Sequence, residues 1–396
     1  MSNALLLRYA SAYSLIAILI CGTIYRILRS RLNLSRQGRL RFLALLVVIT
    51  AVMIAAPLHY RITQNNPADP FTYLLQFLQY FFMGWVGVVL ITLLAAEIIN
   101  AVVRLARLPF KAEKRSFLTE GVTQSILAVT TLSTIGGLIQ AKMGPKITHV
   151  TIQLKTLPPS FDGLTIAQIS DVHIGPLIHE GALNSVVDQV MSLNPDLIFI
   201  TGDLVDGTVE QLSQHVAPLS RLKAKEGIYF CTGNHEYYSG VEEWVAHIES
   251  MGIHVFKNTN TILTRPSTDG SDSHLMIAGV YDWHGGRYSA EHATNPFKAV
   301  KTNLPVDCKI LLAHNPYSID GATAAGVHFQ VSGHTHAGQF YPFTFIARIY
   351  LKHFEGHYHI NDITQLYVNR GTGFWGPPNR LGIPGEVTHF TLKRSV

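Results

Sequence analysis

Four long apolar stretches in the first part of the sequence constrain this chain more than any other feature. They are Leu5–Leu28, Phe42–Leu58, Phe71–Ile99 and Val122–Ala141. Each reaches the roughly 17 to 25 residues that a helix needs to cross a bilayer. Four such stretches in succession leave almost no polar face, which disfavours the alternative of buried helices in a soluble domain. The sequence therefore predicts four transmembrane helices.

Basic residues in the connecting loops predict the orientation of these helices. The first loop carries Arg26, Arg29, Arg31, Arg36, Arg39 and Arg41, and the third carries Arg104, Arg107, Lys111, Lys114 and Arg115. The middle loop, His59–Pro70, contains only Arg61. Because cytoplasmic loops are enriched in Lys and Arg, the N-terminus and everything after Ala141 are predicted to lie outside, at the periplasmic or exterior face of the cytoplasmic inner membrane.

Two features bear on how the chain reaches the membrane. The first span is expected to stay in the mature protein, because its positive cluster follows the apolar run instead of preceding it. Ahead of the fourth span, Lys114–Leu118 (KRSFL) resembles a twin-arginine export signal with Lys in place of the first Arg. An ordinary basic flank of a membrane helix explains the same residues, so both interpretations stay open.

The charge of the chain changes after the last apolar stretch. Residues 1–145 hold 14 of the 31 Lys and Arg but only 4 of the 26 Asp and Glu, whereas residues 146–396 hold 18 of the 19 His. We therefore expect a four-helix transmembrane region over 1–145 and a second domain over 146–396, joined by a linker at Lys142–Lys146. An acidic excess in the second domain disfavours a nucleic-acid partner. Its histidines suggest metal or proton chemistry.

Short apolar, β-branched runs alternate with helical patterns after the linker. The predicted helices include Glu180–Ser192 and Val241–Met251, and the sequence marks Pro266–Ser273 as a polar surface loop. Alternation of this kind predicts layered sheet and helix, not a β-sandwich. The predicted strands are His149–Leu154, Leu164–Ile169, Leu197–Thr201, Ile228–Cys231, His274–Val280, Ile310–Ala313, Phe329–Val331, Leu366–Asn369 and Val387–Leu392.

Polar side chains follow directly after five of these strands. Asp171 and His173 point the same way because residues two apart in an extended segment share a face. Asp203 lies 32 residues after Asp171, and Asn234 lies 31 residues after Asp203, the length of one strand-helix-strand unit each. Such crossovers bring the strand ends to one edge of a sheet, where open α/β sheets bind ligands. Later strands end at His314 and at His334-Thr335-His336.

These seven side chains suit two divalent metal ions. Oxygen and imidazole donors without thiolate favour Mn, Fe or Zn. The three cysteines, Cys21, Cys231 and Cys308, form no CxxC motif, so neither disulfides nor a thiolate metal site is indicated. Seven donors are too many for one tetrahedral site, but with Asp203 shared they divide between two metals that keep room for substrate.

The motifs DVH, GDLVD, GNHE, LLAHNP and GHTH resemble, in order and context, the calcineurin-like metallophosphoesterase superfamily over about Thr151–Leu392. GHTHAGQ and the later LYVNRGTG make the chain similar to a membrane-anchored branch of that superfamily. The resemblance implies a four-layer α-β-β-α sandwich, preceded here by an all-α bundle of four transmembrane helices. It also implies a binuclear metal centre whose bridging hydroxide attacks phosphorus in line.

Site residues follow from the resemblance position by position. One metal would be held by Asp171, His173, Asp203 and His336, and the other by Asp203, Asn234, His314 and His334. His235 is similar to the general acid that protonates the leaving alkoxide, and Asp206 to the carboxylate that orients it. A loop aspartate often simply caps a turn, which is the alternative for Asp206. Phosphoprotein phosphatases carry Arg where Gly207 stands, so a protein phosphatase is disfavoured.

Two further features are ambiguous at this level. Arg370 would reach a substrate phosphate, although an exposed loop arginine is the commoner case. An aromatic stretch after His336 suits either a lid that dips into the membrane interface or a subcluster that packs the loop onto the domain; Phe374 and Trp375 share this ambiguity. Its members are Phe340, Tyr341, Phe343, Phe345, Tyr350, Phe354 and Tyr358, interleaved with Arg348 and Lys352.

The functional hypothesis is therefore a membrane-anchored, metal-dependent hydrolase, such as a manganese phosphodiesterase, of phosphoester or pyrophosphate bonds. Its expected substrate is an envelope lipid or a lipid-linked phosphate. An alternative is a non-catalytic, membrane-tethered metal-binding module for signalling, which predicts a decayed key residue, and none has decayed. A transporter ranks last, because the predicted spans lack buried charged residues.

Overall fold

The computed structural model describes residues 3–62, 69–106, 120–267 and 271–395. The contacts divide the chain into two compact units. The helical unit consists of Met1–Gln140 and Gly376–Leu381, and the sheet unit consists of Ala141–Trp375 and Gly382–Val396. A domain boundary between residues 145 and 146 stays a prediction, because the helical unit also includes a segment from far along the chain.

Among the described residues, the helical unit contains four long helices, as the apolar stretches predict. Their bounds are α1 Asn3–Arg31, α2 Arg36–Ile62, α3 Pro70–Leu105 and α4 Glu120–Lys142. The parts long and apolar enough to cross a membrane are Ser11–Arg31, Arg36–Pro57, Pro70–Val103 and Glu120–Lys142. The export-like stretch Lys114–Leu118 and the basic residues from Arg107 to Arg115 lie outside the described residues.

Polar contacts join distant parts of the helical unit. The guanidinium of Arg31, at the end of α1, lies 3.1 Å from the carboxylate of Glu97 in α3. Near the end of the chain, the backbone N–H of Arg380 donates to the carbonyl oxygen of Gly137 in α4 over 3.0 Å. The segment Gly376–Leu381 therefore belongs with the helices, although it follows the sheet unit in sequence.

In the part of the sheet unit that the structure describes, the strands form two six-stranded sheets. The first has the strand order β1-β12-β2-β3-β4-β5, and the second has the order β10-β11-β9-β8-β7-β6. Within them, β2, β3 and β4 are parallel neighbours, as are β7, β8 and β9. The strands are β1 Lys146–Leu154, β2 Thr165–Ile169, β3 Leu197–Thr201, β4 Ile228–Cys231, β5 His254–Val255, β6 Thr259–Pro266, β7 Asp272–Gly279, β8 Cys308–Leu312, β9 Phe329–Ser332, β10 Gly356–His359, β11 Gln365–Val368 and β12 Glu386–Arg394.

Helices cover the outer faces of both sheets. The helices of this unit are α5 Glu180–Ser192, α6 Val209–Val216, α7 Asn234–Ser239, α8 Val241–Ser250, α9 Pro296–Ala299, α10 Ile319–Ala324 and α11 Phe343–Tyr350. One apolar core joins the inner faces of the two sheets, for example Phe199 of β3 with Phe329 of β9. A second core packs α5, α6 and α8 on the first sheet, and a smaller one packs α9 and α10 on the second. The predicted four-layer α-β-β-α sandwich is confirmed.

The sequence missed some strands of the second sheet. It predicted β3, β4 and α5 with their observed bounds, but it did not predict β6 or β10. β6 pairs with β7 as an antiparallel hairpin, and β10 pairs with β11 in the same way. Both strands consist only of intermediate and exposed residues, so neither has the continuous apolar run of a buried strand. The predicted loop between β6 and β7 includes residues 268–270, which lie outside the described residues.

Candidate metal centre

The polar motifs lie just beyond the carboxyl ends of five strands from both sheets. β2, β3 and β4 of the first sheet lead to Asp171, Asp203 and Asn234. β8 and β9 of the second sheet lead to His314 and to the turn that carries His334 and His336. Because the two sheets face each other across a common core, these ends meet, and the side chains form three overlapping clusters of candidate ligands.

One group of candidate ligands consists of Asp171, His173 and His336. The Nε2 atoms of His173 and His336 face each other at 3.0 Å, and Nε2 of His336 lies 3.3 Å from Oδ1 of Asp171. Ligand atoms of all three lie within 4.8 Å of one another. Two imidazole nitrogens that point at one place, beside a carboxylate oxygen, are arranged to share a cation. We call this group the His173 side.

A second group consists of His314 and His334 beside Asp203. We call these two histidines, together with the predicted ligand Asn234, the His314 side. Nε2 of His314 lies 3.1 Å from Nδ1 of His334 and 3.1 Å from Oδ2 of Asp203. The same carboxylate oxygen lies 4.0 Å from Nε2 of His173. Asp203 therefore stands between the two groups, with one oxygen atom facing both.

The donors on the His314 side fit a divalent cation. Oδ1 of Asn234 is buried and has no partner with hydrogen-bond geometry among the described residues. Leaving a buried carbonyl oxygen without a partner is costly, so this oxygen is available as a metal ligand. His314 donates its Nδ1 hydrogen to the carbonyl oxygen of Thr201 over 2.8 Å, which leaves Nε2 as the metal-binding atom.

Asp206 joins His173 to His235. Its Oδ1 lies 3.1 Å from Nδ1 of His173 and 2.5 Å from Nδ1 of His235, so both imidazoles present Nε2 to the site. Burial disfavours the charged form of His235, but the carboxylates of Asp206 and Asp203 outweigh it and raise the pKa to about 9. The two imidazoles hold the pKa of Asp206 below its usual range in spite of burial. The alternative of a simple turn cap does not describe these contacts.

His235 also lies close to the candidate ligands. Its Nε2 is 3.9 Å from Oδ2 of Asp203, and it forms a cluster with His173 and Asp203. Its backbone N–H donates to Oδ1 of Asp203 over 2.8 Å. An imidazole in this position is able to donate a proton to a substrate or to bind a cation, and the distances alone are compatible with both.

Five of the seven predicted ligands have a left-handed backbone, so Asp171 and His173 do not lie in the extended segment that their spacing predicts. Non-glycine residues rarely adopt this conformation, and each instance costs on the order of 1–3 kcal/mol. Clustering of such residues is typical of functional sites, where the surrounding fold enforces the strain. The five φ values are 53° for Asp171, 55° for His173, 51° for Asp203, 72° for His334 and 48° for His336.

Glycines allow the turns to approach one another. Gly202 has a φ of +77°, and a side chain there would also meet the backbone of Gly233 and the ring of His314. A side chain at Gly333 would collide with Ser170 and with the carboxylate of Asp171. The two sheets can place their ligands together only because the residue before Asp203 and the residue before His334 lack a Cβ.

Glu236 is a site residue that the sequence analysis did not identify. Its buried carboxylate accepts hydrogen bonds from the backbone N–H groups of Gly233, Asp203 and Leu204 at 2.6, 3.0 and 2.8 Å. Burial, reinforced by the charge of Asp203, raises its pKa to about 7. A Glu at the third position of a helix whose N-cap is Gly233 can accept from the N-cap N–H, which is one half of a capping box and was the available signal.

Asp282 was also missed, because it follows a strand of the second sheet without a neighbouring recognisable motif. Its side chain is buried, its Oδ1 lies 3.3 Å from Nδ1 of His284, and its Oδ2 has no hydrogen-bond partner among the described residues. The ring centre of His284 lies 6.4 Å from that of His334. Asp282 and His284 therefore add a buried carboxylate next to the His314 side of the site.

The side chain of Arg370 contacts two other residues of the sheet unit. Its Nε donates to Glu386 over 2.8 Å, and its Nη2 donates to Thr148 over 3.3 Å. A role in substrate binding therefore stays a prediction. The residues after Arg370 bind the backbone of the first ligand turn. The backbone N–H of Thr372 donates to the carbonyl oxygen of Ser170 over 2.7 Å, and that of Gly373 donates to the carbonyl oxygen of Asp171 over 3.0 Å. This loop holds the turn that carries Asp171.

Some residues of the aromatic stretch pack onto the domain, and others are exposed as a membrane-facing lid would require. Phe340 and Phe354 are buried against the domain, whereas Phe345 and Tyr350 are exposed. Phe374 packs against the core of the first sheet. Trp375 is exposed, and its ring centre lies 5.9 Å from that of His235. Neither interpretation alone describes the whole stretch.

Comparison with known proteins identifies the family. The calcineurin-like phosphoesterase family matches residues 164–338. A "transmembrane protein with metallophosphoesterase domain" of Danio rerio is 36% identical over 69% of this chain and 63% of its own length, and its Bos taurus counterpart is 36% identical over 67% and 61%. The chain thus spans less than two thirds of these relatives. An uncharacterized metallophosphoesterase of Bacillus subtilis, YkuE, is 34% identical over 62% of this chain and 85% of its own length. The chain belongs to the calcineurin-like phosphoesterase family.

Proposed function

We propose that this protein is a metal-dependent hydrolase of phosphoester or pyrophosphate bonds with a binuclear centre of two divalent ions, Mn, Fe or Zn. The observation that carries the proposal is the position of Asp203. One of its carboxylate oxygens faces Nε2 of His314 at 3.1 Å and Nε2 of His173 at 4.0 Å. A carboxylate between two imidazole groups is suited to join two cations.

The ligand sets follow from this arrangement. Asp171, His173 and His336 would hold one ion with Asp203, and Asn234, His314 and His334 would hold the other with Asp203. When bound, the ions supply Lewis acidity toward the phosphoryl oxygens and a shared hydroxide as nucleophile. Oxygen and imidazole donors without thiolate suit borderline divalent metals. The orphaned oxygen of Asn234 supports the second set.

His235 would donate the proton that the leaving alkoxide needs. Its Nδ1 is fixed by Asp206 at 2.5 Å, which aims Nε2 into the site. The carboxylates of Asp206 and Asp203 raise the pKa of this imidazole to about 9 in the absence of cations, which favours its protonated form near neutral pH. Asp206 then stabilises the charged form and keeps the ring oriented. The metal ligands and the proton donor are thus separate side chains connected through one carboxylate.

The substrate and the membrane position are also part of the proposal. Four spans anchor the chain in a bilayer, so an envelope lipid or a lipid-linked phosphate is the substrate class that always lies nearby. The basic loops between the first two spans and between the last two favour an orientation with the catalytic domain on the periplasmic or exterior face of the inner membrane.

The test uses the full chain, purified in detergent and loaded with Mn²⁺. We expect turnover of a phosphodiester such as bis(4-nitrophenyl) phosphate, or of phospholipids and lipid diphosphates in mixed micelles. His235→Ala should retain its metal while turnover collapses, and His149→Ala, a change on an exposed part of β1, should leave both unchanged. If the metal-loaded chain turned over no member of such a panel, the non-catalytic alternative would replace the hydrolase.

A further inference from the structure

The helix α11 presents large apolar side chains to solvent. Phe345 is 63% exposed, Ile346 40%, Ile349 78% and Tyr350 77%. Four such residues within six positions form one contiguous surface, which we call the α11 face. Exposed apolar patches of this kind on a folded domain mark interaction sites. Single exposed apolar side chains, such as Ile363, carry no such meaning.

The opposite side of α11 is fixed to the turn that carries His336. The hydroxyl of Thr344 donates to the carbonyl oxygen of Ala337 over 3.1 Å. Ala347 and Leu351 pack against a buried cluster that includes Ala337. The α11 face is therefore held outward by the same turn that positions a predicted metal ligand, so whatever covers this face lies beside the site.

The size and charge of the α11 face favour a lipid surface over a protein. Four side chains offer much less than the roughly 800 Å² that each partner buries in a stable protein complex. Cationic side chains, Arg348 and Lys352, flank the apolar residues and remain largely exposed, although each lies near an acidic residue. Apolar residues flanked by cations are typical of helices that lie in a membrane interface and bind anionic headgroups.

We propose that α11 inserts the α11 face into the headgroup region of the bilayer in which this chain is anchored. The helix then holds the candidate metal centre at the level of lipid phosphates. The inference deepens the proposed function, because it accounts for how a lipid-borne phosphate reaches the site. It also divides the aromatic stretch by role, since Phe340 and Phe354 fasten the segment to the domain while Phe345 and Tyr350 enter the membrane.

The experiment measures depth in the full chain. Ile349→Cys and, as a control, Glu210→Cys at an exposed position of α6 are each labelled with an environment-sensitive fluorophore. The unsubstituted chain serves as a blank because Cys21, Cys231 and Cys308 are buried. Each protein is reconstituted as one copy per nanodisc of phosphatidylethanolamine and phosphatidylglycerol, with and without lipids that carry a nitroxide near the headgroup. We expect severalfold stronger quenching at position 349 than at position 210.

A second variant distinguishes insertion of the α11 face into the membrane from a mere closeness to the membrane that the transmembrane anchor causes. In the labelled Ile349→Cys chain, Phe345→Asp with Ile346→Asp should reduce the quenching to the level of the control, whereas Ile363→Asp should leave it unchanged. Unchanged quenching in the double variant would overturn the inference, because the anchor alone would then set the depth. Equal quenching at positions 349 and 210 would also overturn it. If position 349 were protected from both lipid and aqueous quenchers, and only in discs that hold two copies, the α11 face would instead contact a second copy of this chain.

The readout does not depend on turnover. An inactive protein whose label is quenched at position 349 would retain the membrane-inserted helix and reject the proposed hydrolase. An active protein without quenching at that position would retain the hydrolase and reject the inserted helix. The two proposals can therefore fail separately.

Discussion

The two sides of the candidate metal centre differ in what orients their imidazoles. On the His173 side, Nδ1 of His173 contacts the carboxylate of Asp206, which also holds His235. On the His314 side, Nδ1 of His314 contacts a backbone carbonyl, that of Thr201. A carboxylate raises the basicity of the imidazole that it contacts and stabilises the protonated ring, whereas a backbone carbonyl mainly fixes the tautomer. The difference suggests that proton transfer belongs to the His173 side.

Loss of the carboxylate common to both sides should have the largest effect. Asp203→Asn should lower the content of both metals and reduce kcat by about a thousandfold or more, because the ions supply several kcal/mol of transition-state stabilisation. Metal analysis of the purified variant, together with kinetics, measures this. A variant that lost only one metal would mean that Asp203 serves one side alone.

His235→Ala should affect chemistry and spare the metals. We expect kcat to fall by about 10² to 10⁴, the usual contribution of a general acid. Metal content should match that of the parent chain, as should the content of the His149→Ala control. A large loss of metal in His235→Ala would instead assign this imidazole as a ligand on the His173 side, which its distance of 3.9 Å from Asp203 permits.

Asp206→Asn tests whether the two sides are oriented by different means. It should weaken the metal on the His173 side and lower kcat, each by about 10- to 100-fold, while the other metal is retained. Titration of the metal-free protein with Mn²⁺ should show one weakened step. Asp320→Asn, on an exposed part of α10, is the control. Equal weakening of both steps would contradict the contrast between the sides.

The pH profile gives a smaller effect with a defined sign. The carboxylates of Asp206 and Asp203 raise the pKa of His235 to about 9 in the absence of cations, and cations bound at Asp203 offset part of this rise, so the protonated donor is lost as the pH increases to that value. We therefore expect kcat to be level near neutral pH and to fall about tenfold per unit well above pH 9. In Asp206→Asn the stabilising carboxylate is gone, so the fall should begin at lower pH. An unshifted profile would exclude Asp206 as the partner of the proton donor.

Asp282→Asn should have the smallest effect. The buried carboxylate lies behind the His314 side, and its negative charge favours a cation there. We expect a reduction in metal affinity on that side of about tenfold or less, without a shift in the pH profile of kcat. Asp362→Asn, at an exposed position, should change neither. An effect as large as that of Asp206→Asn would mean that both sides rely on a carboxylate.

Much of the fold could be predicted because its signals are local. Four apolar stretches, the alternation of short strands with helices, and polar residues at strand ends are all properties of neighbouring residues. The bounds of β3, β4 and α5 followed directly from continuous apolar runs and helical periodicity. β6 and β10 did not, because partly exposed strands have weak patterns and are defined by the partner with which they pair.

The same contrast between local motifs and non-local contacts applies to the candidate site. The sequence identified seven predicted ligands and His235 with Asp206, because each sits in a short motif. It could not identify Asp282, because its position near the His314 side depends on how the loop after β7 packs beside the turns that follow β8 and β9 of the same sheet. Nor could it assign Arg370, since an ion pair with Glu386 joins residues 16 positions apart.

The sequence by itself determined the chemistry that is available: four apolar helices, a domain with alternating elements, and imidazole, amide and carboxylate donors at strand ends. Only the tertiary structure decided how these donors meet. It places the ends of two sheets together, holds five predicted ligands in left-handed backbone conformations, and turns one oxygen of Asp203 toward both groups of imidazoles. The physical reason is that strained turns and non-local contacts are stabilised by packing across the whole fold, whereas motifs are read from adjacent residues.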